Sequence, residues 1–304
     1  MLIDDRSENL TTEMFCSSPV GGILILRFLI IISIFLAISS TFGNILILAA
    51  LRKASFLHPP SKILLRSLIL TDLCVGIAVG PLYVIFLFTI EFKNWNLCCQ
   101  VISAVLLSGQ TLCSVSLLTM TAIGVDRLLA MSLGLRYRQV VTSRRAQGTA
   151  ISLWFIGSGG AIMELFNYRT ALFYGSFLVL LSITVSTFCY LKICRKLRQH
   201  QGQVHGNIHQ RQANRPEPLY IARYRKTVSS AVWIQLSLIA FYLPGIVIIT
   251  LVASRGLDPI LLLVCICITT FIHFNSSLNP VLYCWTMREV RQVMKDILRQ
   301  TFRF

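Results

Sequence analysis

One carboxylate within an apolar segment has the clearest potential for chemistry. Asp72 lies in Ser67-Leu68-Ile69-Leu70-Thr71-Asp72-Leu73, deeper in an apolar stretch than any other acid. A bare carboxylate in hydrocarbon is costly, so it must meet hydrogen-bond donors, a cation or a proton. Candidate partners are Asn44, Ser116, Asn275, Ser276 and Asn279. Two interpretations stay open: oxygen ligands for a weakly held monovalent cation, or a structural network around a protonated Asp72.

A proline and a charged pair suggest moving parts. Pro280, in Asn279-Pro280-Val281-Leu282-Tyr283, removes a helical hydrogen bond, which a membrane tolerates only where a neighbour satisfies the freed carbonyl. Pro244, in Phe241-Tyr242-Leu243-Pro244, predicts a second kink. Asp126-Arg127 ends the third apolar stretch, either as an interfacial anchor or as a switch in which Asp126 holds Arg127 in one state only. Two kinked helices beside such a switch would let this end of the protein open.

Membrane-spanning helices must position these residues. A chain that is 55% hydrophobic and 13% charged, with mean hydropathy +0.71, is too apolar for a soluble domain. Seven apolar stretches cover residues 23–51, 62–90, 100–131, 148–164, 170–194, 227–253 and 259–285. Most exceed the roughly 20 residues that a spanning helix needs. The fourth stretch is the weakest, so an interpretation with six spans competes.

The placement of basic residues favours seven spans. With the amino terminus outside, 23 of the 28 Lys and Arg residues fall on the cytoplasmic side, as the positive-inside rule requires. Omitting the fourth span would move one basic group to the wrong side. The net charge of +16 then indicates an inner face that meets anionic lipid and an acidic cytosolic partner, without any nucleic acid.

The two ends of the chain differ in character. Residues 1–22 carry acids and no signal-peptide pattern, so we expect them outside, with the first span as the targeting signal. Asn9-Leu10-Thr11 is a glycosylation sequon there, and one disulfide from Cys16 to Cys98 or Cys99 is conceivable. The spanning domain is predicted over 23–285. Residues 286–304 are predicted to form a cytoplasmic tail with an amphipathic surface helix, apolar at 287, 290, 293, 294, 297 and 298.

The long segment between spans five and six, Gln199 to Ala222, is polar and contains two prolines. It is predicted to be a mobile cytoplasmic loop. Its three histidines could suggest a metal site, but no Cys or carboxylate completes a ligand set, which favours a solvated loop.

Taken in order along seven spans, these features resemble the rhodopsin-like (class A) G-protein-coupled receptors. The matching residues are Gly43-Asn44, Leu68 with Asp72, Ser116 through Asp126-Arg127, Trp154, Tyr190, Pro244 and Asn279-Pro280-Val281-Leu282-Tyr283. The resemblance implies an all-α seven-transmembrane bundle in the plasma membrane with a cytoplasmic carboxyl terminus. It also implies an extracellular ligand and a heterotrimeric G protein as partners.

The resemblance also implies roles for particular residues. A sodium pocket would comprise Asn44, Asp72, Ser116, Asn275, Ser276 and Asn279, with an allosteric sodium ion as the only candidate cofactor. The switch that receives the G protein would comprise Asp126, Arg127, Tyr190, Tyr242, Pro244, Asn279, Pro280 and Tyr283. A ligand cavity would be lined by Gln110, Phe241, Tyr242 and His273, mostly apolar and so better suited to a lipid or small neutral ligand than to a charged peptide.

Some positions depart from the family pattern. Tyr242 replaces the usual tryptophan, and Tyr224 stands where an acid could lock Arg127, which predicts basal activity. Gly109 replaces the aspartate of amine receptors and argues against a biogenic amine. Ser182 replaces the proline of span five, and the second outer loop lacks cysteine, so the family's usual bridge is expected to be absent. The short loop is similar to the melanocortin, cannabinoid, lysolipid and adenosine receptor branch.

Other classes of protein find less support in the sequence. An enzyme would need a metal set, a nucleophile with its base, or a nucleotide-binding loop, and we find none of these patterns. A transporter would be expected to show inverted repeats with paired broken helices, which we also do not find. A receptor-shaped protein that couples to nothing is a third alternative, against which Arg127 and Tyr283 count.

Overall fold

A computed structural model of the chain describes residues 23–53, 58–208, 238–252, 258–286 and 288–302, together with residues 236 and 254. These residues form helices and short connections, with no β-strand among them. Six helices are long and apolar enough to cross a membrane, and a shorter apolar helix lies in the sixth stretch. The predicted all-α bundle of seven spans is confirmed. Asn9, Cys16 and Tyr224 lie outside the described residues.

The spans follow the predicted stretches closely. Spans one to four are Ile23–Lys53, Pro59–Glu91, Trp95–Leu133 and Ser143–Phe166. Spans five to seven are Tyr168–Ile208, Leu238–Val252 and Pro259–Thr286. Span two contains a π-helical turn, Val75–Val79, between the α-helices Pro59–Cys74 and Gly80–Glu91. A 3₁₀ turn, Gly134–Arg136, and a short helix, Tyr137–Val140, follow span three, and the surface helix is Arg288–Phe302.

Short polar residues fix where several spans begin. The Asn94 side chain accepts a hydrogen bond from the Leu97 N–H at 3.3 Å, at the start of span three. The Asp258 carboxylate accepts one from the Leu261 N–H at 2.7 Å, at the start of span seven. These bonds satisfy backbone donors that the first turn of a helix leaves free.

Span five is longer than predicted. Its helix continues to Ile208, so the loop prediction for Gln199 to Ala222 is wrong for residues 199–208. Extending an existing helix gains one backbone hydrogen bond per residue, and the first proline of the segment comes only at 216. The polar composition therefore marked where the apolar stretch ends rather than where the helix ends.

Two apolar clusters flank a polar layer. The first cluster includes Leu26, Leu29, Ile30, Tyr83, Phe86, Leu87, Ile102 and Leu262, near one end of the bundle. The second includes Ile47, Leu51, Leu65, Leu68, Leu117, Leu238, Phe241, Tyr283 and Val290, toward the other end, which carries Asp126 and is called the Asp126 end below. Asp72 lies between the two clusters along the spans, so its hydrogen bonds must be satisfied within the protein.

The surface helix packs as its sequence predicted. Val290 is buried, and Val293, Met294 and Ile297 pack against the second cluster. The Cys284 thiol at the end of span seven lies 3.4 Å from the Met294 sulfur. Arg291, Lys295 and other polar residues lie on the exposed side. The predicted division of this helix into an apolar and a charged face is confirmed for the described residues.

Two glycines set how closely spans one and two approach. A β-carbon at Gly76 would lie 2.6 Å from the Thr41 Oγ1 and 2.8 Å from the Thr41 backbone nitrogen. A β-carbon at Gly80 would lie 2.7 Å from the Ala37 β-carbon. Both distances are shorter than real side chains allow, so only glycine permits this packing.

We therefore expect Gly76→Ala to destabilise the protein by about 1–3 kcal/mol, because the backbone of span one would have to shift. Gly148→Ala is the matched control, since a β-carbon there meets nothing within 4 Å. Thermal unfolding of the purified full-length proteins measures both. Equal midpoints for the two variants would contradict the close approach.

Candidate functional site

Asp72 lies at the centre of the polar layer, with no exposed surface. Its Oδ1 accepts hydrogen bonds from the Ser116 hydroxyl at 3.2 Å and the Ser276 hydroxyl at 3.0 Å. Its Oδ2 accepts one from the Asn279 amide at 2.7 Å. Three of the five side chains expected around Asp72 thus contact it directly, and the carboxylate joins spans two, three and seven.

Asn44 supplies a hydrogen bond at the point where Pro280 interrupts the bonding of span seven. Its amide donates to the Ser276 carbonyl at 3.2 Å as well as to the Ser40 carbonyl at 2.8 Å. The Ser276 carbonyl is the acceptor that Pro280, four residues later, leaves without its helical partner. A β-carbon at Gly43 would lie 2.8 Å from the Pro280 Cγ, so glycine there lets the proline ring approach span one. The neighbour that the sequence required for this proline is Asn44.

The polar layer contains oxygens that fit a small cation. The amide oxygens of Asn44 and Asn275 are buried and have no hydrogen-bond partner. The Asn275 side chain lies within hydrogen-bonding reach of Tyr242. One carboxylate with hydroxyl and amide oxygens is a donor set for a hard monovalent ion. The described residues contain no group of three or more His, Cys, Asp or Glu that could hold a metal.

Asp126 is held by two hydroxyl groups. Its buried carboxylate accepts from the Ser61 hydroxyl at 2.7 Å and from the Tyr137 hydroxyl at 2.6 Å, and these two hydroxyls are 3.2 Å apart. The carboxylate thereby joins spans two and three to the short helix after span three. The ion pair with Arg127 considered from the sequence does not form between these two described residues, because Asp126 accepts from hydroxyl groups instead.

The sequence did not single out Ser61 or Tyr137. Both lie outside the centres of the apolar stretches. A polar residue at such a position is common and gives no signal of a special role. The available signal was the requirement for partners that burial imposes on a carboxylate, but the sequence did not indicate that Asp126 is buried.

Of the residues expected to form the switch, Arg127, Tyr190 and Tyr283 lie at the Asp126 end, whereas Asn279 binds Asp72 in the polar layer. Arg127, which is partly exposed, lies close enough to Tyr190 and Tyr283 for its charge to act on both phenols. Both tyrosines are buried. A β-carbon at Gly124 would lie 3.6 Å from the Tyr190 hydroxyl oxygen, so Tyr190 packs directly over span three. A guanidinium from span three and two phenols from spans five and seven are therefore within electrostatic range of one another.

Leu135 is an exposed apolar side chain at the same end, with 98% of its surface accessible. It follows Gly134, whose φ of 52° lies in the left-handed region that favours glycine. Arg136 and Arg138 are its near neighbours in the sequence. The sequence alone did not single out this exposed leucine.

The four expected ligand contacts do not line one described cavity. Phe241 packs against Phe271 and Phe274 of span seven, with ring centroids 4.6 and 5.8 Å apart. Gln110 instead faces spans four and five, where its Nε2 would lie 2.6 Å from a β-carbon at Gly175.

Tyr242 and His273 lie elsewhere in the bundle. Tyr242 is buried beside Asn275, near the polar layer. His273 packs edge-on against Tyr83 at 4.9 Å. The assignment of all four residues to a ligand site stays a prediction.

Among the described cysteines, Cys98 forms a disulfide, whereas Cys99 and seven others are free thiols. The sequence allowed a bridge from Cys16 to either Cys98 or Cys99, and Cys98 is the member of that pair that is oxidised. Cys16 lies outside the described residues, so its part in the bridge stays a prediction.

Comparisons with known proteins agree with this geometry. Residues 43–171 match the family described as 7 transmembrane receptor (rhodopsin family). Adenosine receptor A2b of Bos taurus is 34% identical over 127 residues, covering 41% of this chain and 36% of that receptor. Adenosine receptor A3 of Canis lupus familiaris is 24% identical over 290 residues, 86% of this chain and 88% of that receptor. The 5-hydroxytryptamine receptor 1B of Didelphis virginiana is 30% identical over 131 residues, which cover 43% of this chain and 33% of that receptor.

In its fold, in the order of its polar residues and in these matches, the chain is similar to the rhodopsin-like (class A) receptors, a family of receptors and not of enzymes. Within that class it is related to the adenosine receptor branch. The aligned segments of the first relatives cover only about a third to two-fifths of their length.

The hydrogen bonds of Asp126 lead to a prediction of stability. We expect Tyr137→Phe to destabilise the protein by about 1.5–3 kcal/mol, because it removes a bond to a buried charged acceptor. Tyr174→Phe makes the same chemical change where the hydroxyl donates to the neutral Ile156 carbonyl at 2.7 Å, so its cost should be smaller, about 0.5–1.5 kcal/mol. Thermal unfolding compares the two, and a smaller loss for Tyr137→Phe would contradict the Asp126 assignment.

Proposed function

We propose that this protein is a plasma-membrane receptor that transmits the binding of an extracellular ligand to a cytosolic heterotrimeric G protein. The concentration of Lys and Arg at the Asp126 end supports a cytosolic location for that end and the surface helix, in contact with anionic lipid. The amino terminus, with its glycosylation sequon at Asn9, then lies outside. No part of this proposal involves nucleic acid.

One observation carries the proposal. Asp126 is bound by Ser61 and Tyr137, so Arg127 is not paired with its neighbouring acid and lies within electrostatic range of Tyr190 and Tyr283. A partly exposed guanidinium among phenols has donors available for the carbonyls of a partner helix. The exposed Leu135 supplies an apolar contact at the same end.

The kinks provide the movement between the two ends. Pro244 and Pro280 weaken spans six and seven at one point each, and Asn279 ties the second kink to Asp72. A ligand that binds better to the conformation with an open Asp126 end shifts the population toward it. By linkage, the bound G protein tightens ligand binding by the same factor by which the ligand tightens G-protein binding.

For the ligand, a lipid or a small neutral molecule is favoured. The ligand-side residues Phe241, Tyr242 and His273 are buried and largely apolar. Gly109 has no side chain with which to pair the ammonium group of a biogenic amine, although receptors named for 5-hydroxytryptamine are among the relatives of this chain. The apolar character of these buried residues is the support for this choice.

Loss of Arg127 should abolish coupling. In cells expressing a panel of Gα subunits without added ligand, we expect the wild type to give a basal signal that Arg127→Ala removes at matched surface expression. Arg144→Ala is the matched control, because Arg144 is an exposed cation at the same end. Basal signal that Arg127→Ala leaves unchanged would contradict the proposal. A cation flux that survives Arg127→Ala would favour the transporter alternative.

We also propose that the polar layer binds a sodium ion, held by Asp72 with oxygens of Ser116, Asn275 and Ser276, and with Asn44 and Asn279 completing the pocket. The support is the buried carboxylate and the buried, unpartnered amide oxygens of Asn44 and Asn275. The competing interpretation is a hydrogen-bond network around a protonated Asp72, which needs no cation.

Sodium should therefore stabilise the folded protein. We expect the unfolding midpoint of the wild type to rise with sodium concentration at constant ionic strength, with choline as the replacement cation, because binding to the native state adds RT ln(1 + [L]/Kd). Asp72→Asn keeps the size of the side chain and removes its charge, so its midpoint should not respond. A wild-type midpoint that sodium does not change would favour the protonated network.

A further inference from the structure

A second polar feature lies one layer away from Asp72, between spans one, two and seven. A cavity there is lined by Ser33, Leu36, Ala37, Ser40, Val75, Gly76, Gly80, Tyr83 and His273. About 260 Å³ of space between atoms lies within it, which includes the gaps around each lining group and the open mouth. The part wide enough to hold the centre of a water molecule corresponds to about one water.

The cavity contains a buried donor without a partner. Ser33 is 4% exposed, and its hydroxyl makes no hydrogen bond. Serines in the other spans commonly donate to the carbonyl four residues earlier, as Ser108 and Ser158 do, but Ser33 does not. An orphaned buried hydroxyl is costly, so one beside a polar space indicates that a further group belongs there.

The neighbouring turn shows which connection is missing. The Ser277 hydroxyl of span seven donates directly to the Leu36 carbonyl of span one at 2.9 Å. One turn further along, His273 and Ser33 face the same cavity, and the His273 ring packs edge-on against Tyr83. The two spans are thus joined directly at one level and separated by a water-sized space at the next.

We propose that this cavity is a binding site for one water molecule, which bridges Ser33 of span one to His273 of span seven. Tyr83 supplies a third partner, because its hydroxyl donates to the Ile266 carbonyl at 2.8 Å, lies 3.0 Å from the Thr270 hydroxyl and still has one lone pair to accept from water. Three polar partners are the usual number for a buried water. This site is separate from the Asp72 pocket and does not depend on G-protein coupling.

The sign of one mutational effect tests the proposal. If the water is bound, Ser33→Ala removes one of its partners, and the unfolding midpoint falls by about 1–4 °C. If the cavity is dry, the same change removes an orphaned hydroxyl and leaves the midpoint unchanged or raised. Ser182→Ala is the control for the dry case, because Ser182 is equally buried, has no partner and does not line this cavity. A Ser33→Ala midpoint at or above the wild-type value would overturn the proposal.

A double-mutant cycle separates the water from simple packing. His273→Phe keeps a ring against Tyr83 but removes the second partner of the water. The loss caused by Ser33→Ala should then shrink or vanish in the His273→Phe background. An undiminished loss would mean that Ser33 acts by packing alone and would overturn the bridge. An experimental map of the full-length protein that resolves other buried waters but shows none between Ser33 and His273 would do the same.

Discussion

The burial of the Asp72 carboxylate is the constraint on which the arrangement of the spans depends. A charged or protonated acid with no exposed surface must have its oxygens satisfied by the protein, because lipid offers no donors. Its three side-chain donors come from spans three and seven, so those helices must hold one rotation and one height relative to span two. A small rotation of span two or span seven would leave at least one oxygen of Asp72 without a partner, and a rotation of span three would remove the hydrogen bond from Ser116.

The proline of span seven is part of the same constraint. Asn279, which immediately precedes Pro280, donates to Asp72, while the carbonyl that Pro280 frees accepts from Asn44. Gly43 allows the close approach that this second bond requires. The weakest point of span seven is therefore the point at which it is best connected to spans one and two. A helix that is soft but tethered bends at a defined place, as a receptor that changes conformation requires.

The partners of a buried residue could be predicted from the sequence only where the energetic requirement of that residue limited the candidates to a few. Asp72 and Pro280 each carry a requirement that only polar groups at the same depth can meet, and those residues were few. The partners of Asp126 were not predicted, because a residue at the end of an apolar stretch can be solvated or buried, and only packing decides which. The direction of Gln110 depends on the space that Gly160 and Gly175 leave between spans four and five, a property of three helices together. Span five ran past its apolar stretch because helix propagation does not require apolar residues.

The π-helical turn at Val75–Val79 changes how span two can be read as a whole. At about 100° per residue, an unbroken α-helix would point Tyr83 to within about 20° of the direction of Asp72. One widened turn rotates everything beyond it by roughly the angle of one residue. Residues on the two sides of the turn therefore do not keep the relative directions of an unbroken α-helix. The Asp72 carboxylate reaches spans three and seven at one depth, and the Tyr83 hydroxyl reaches the Ile266 carbonyl of span seven at another. The two halves of span two therefore differ in angular phase. Deleting a single residue in the turn would rotate the far half about the helix axis while scarcely shortening the span.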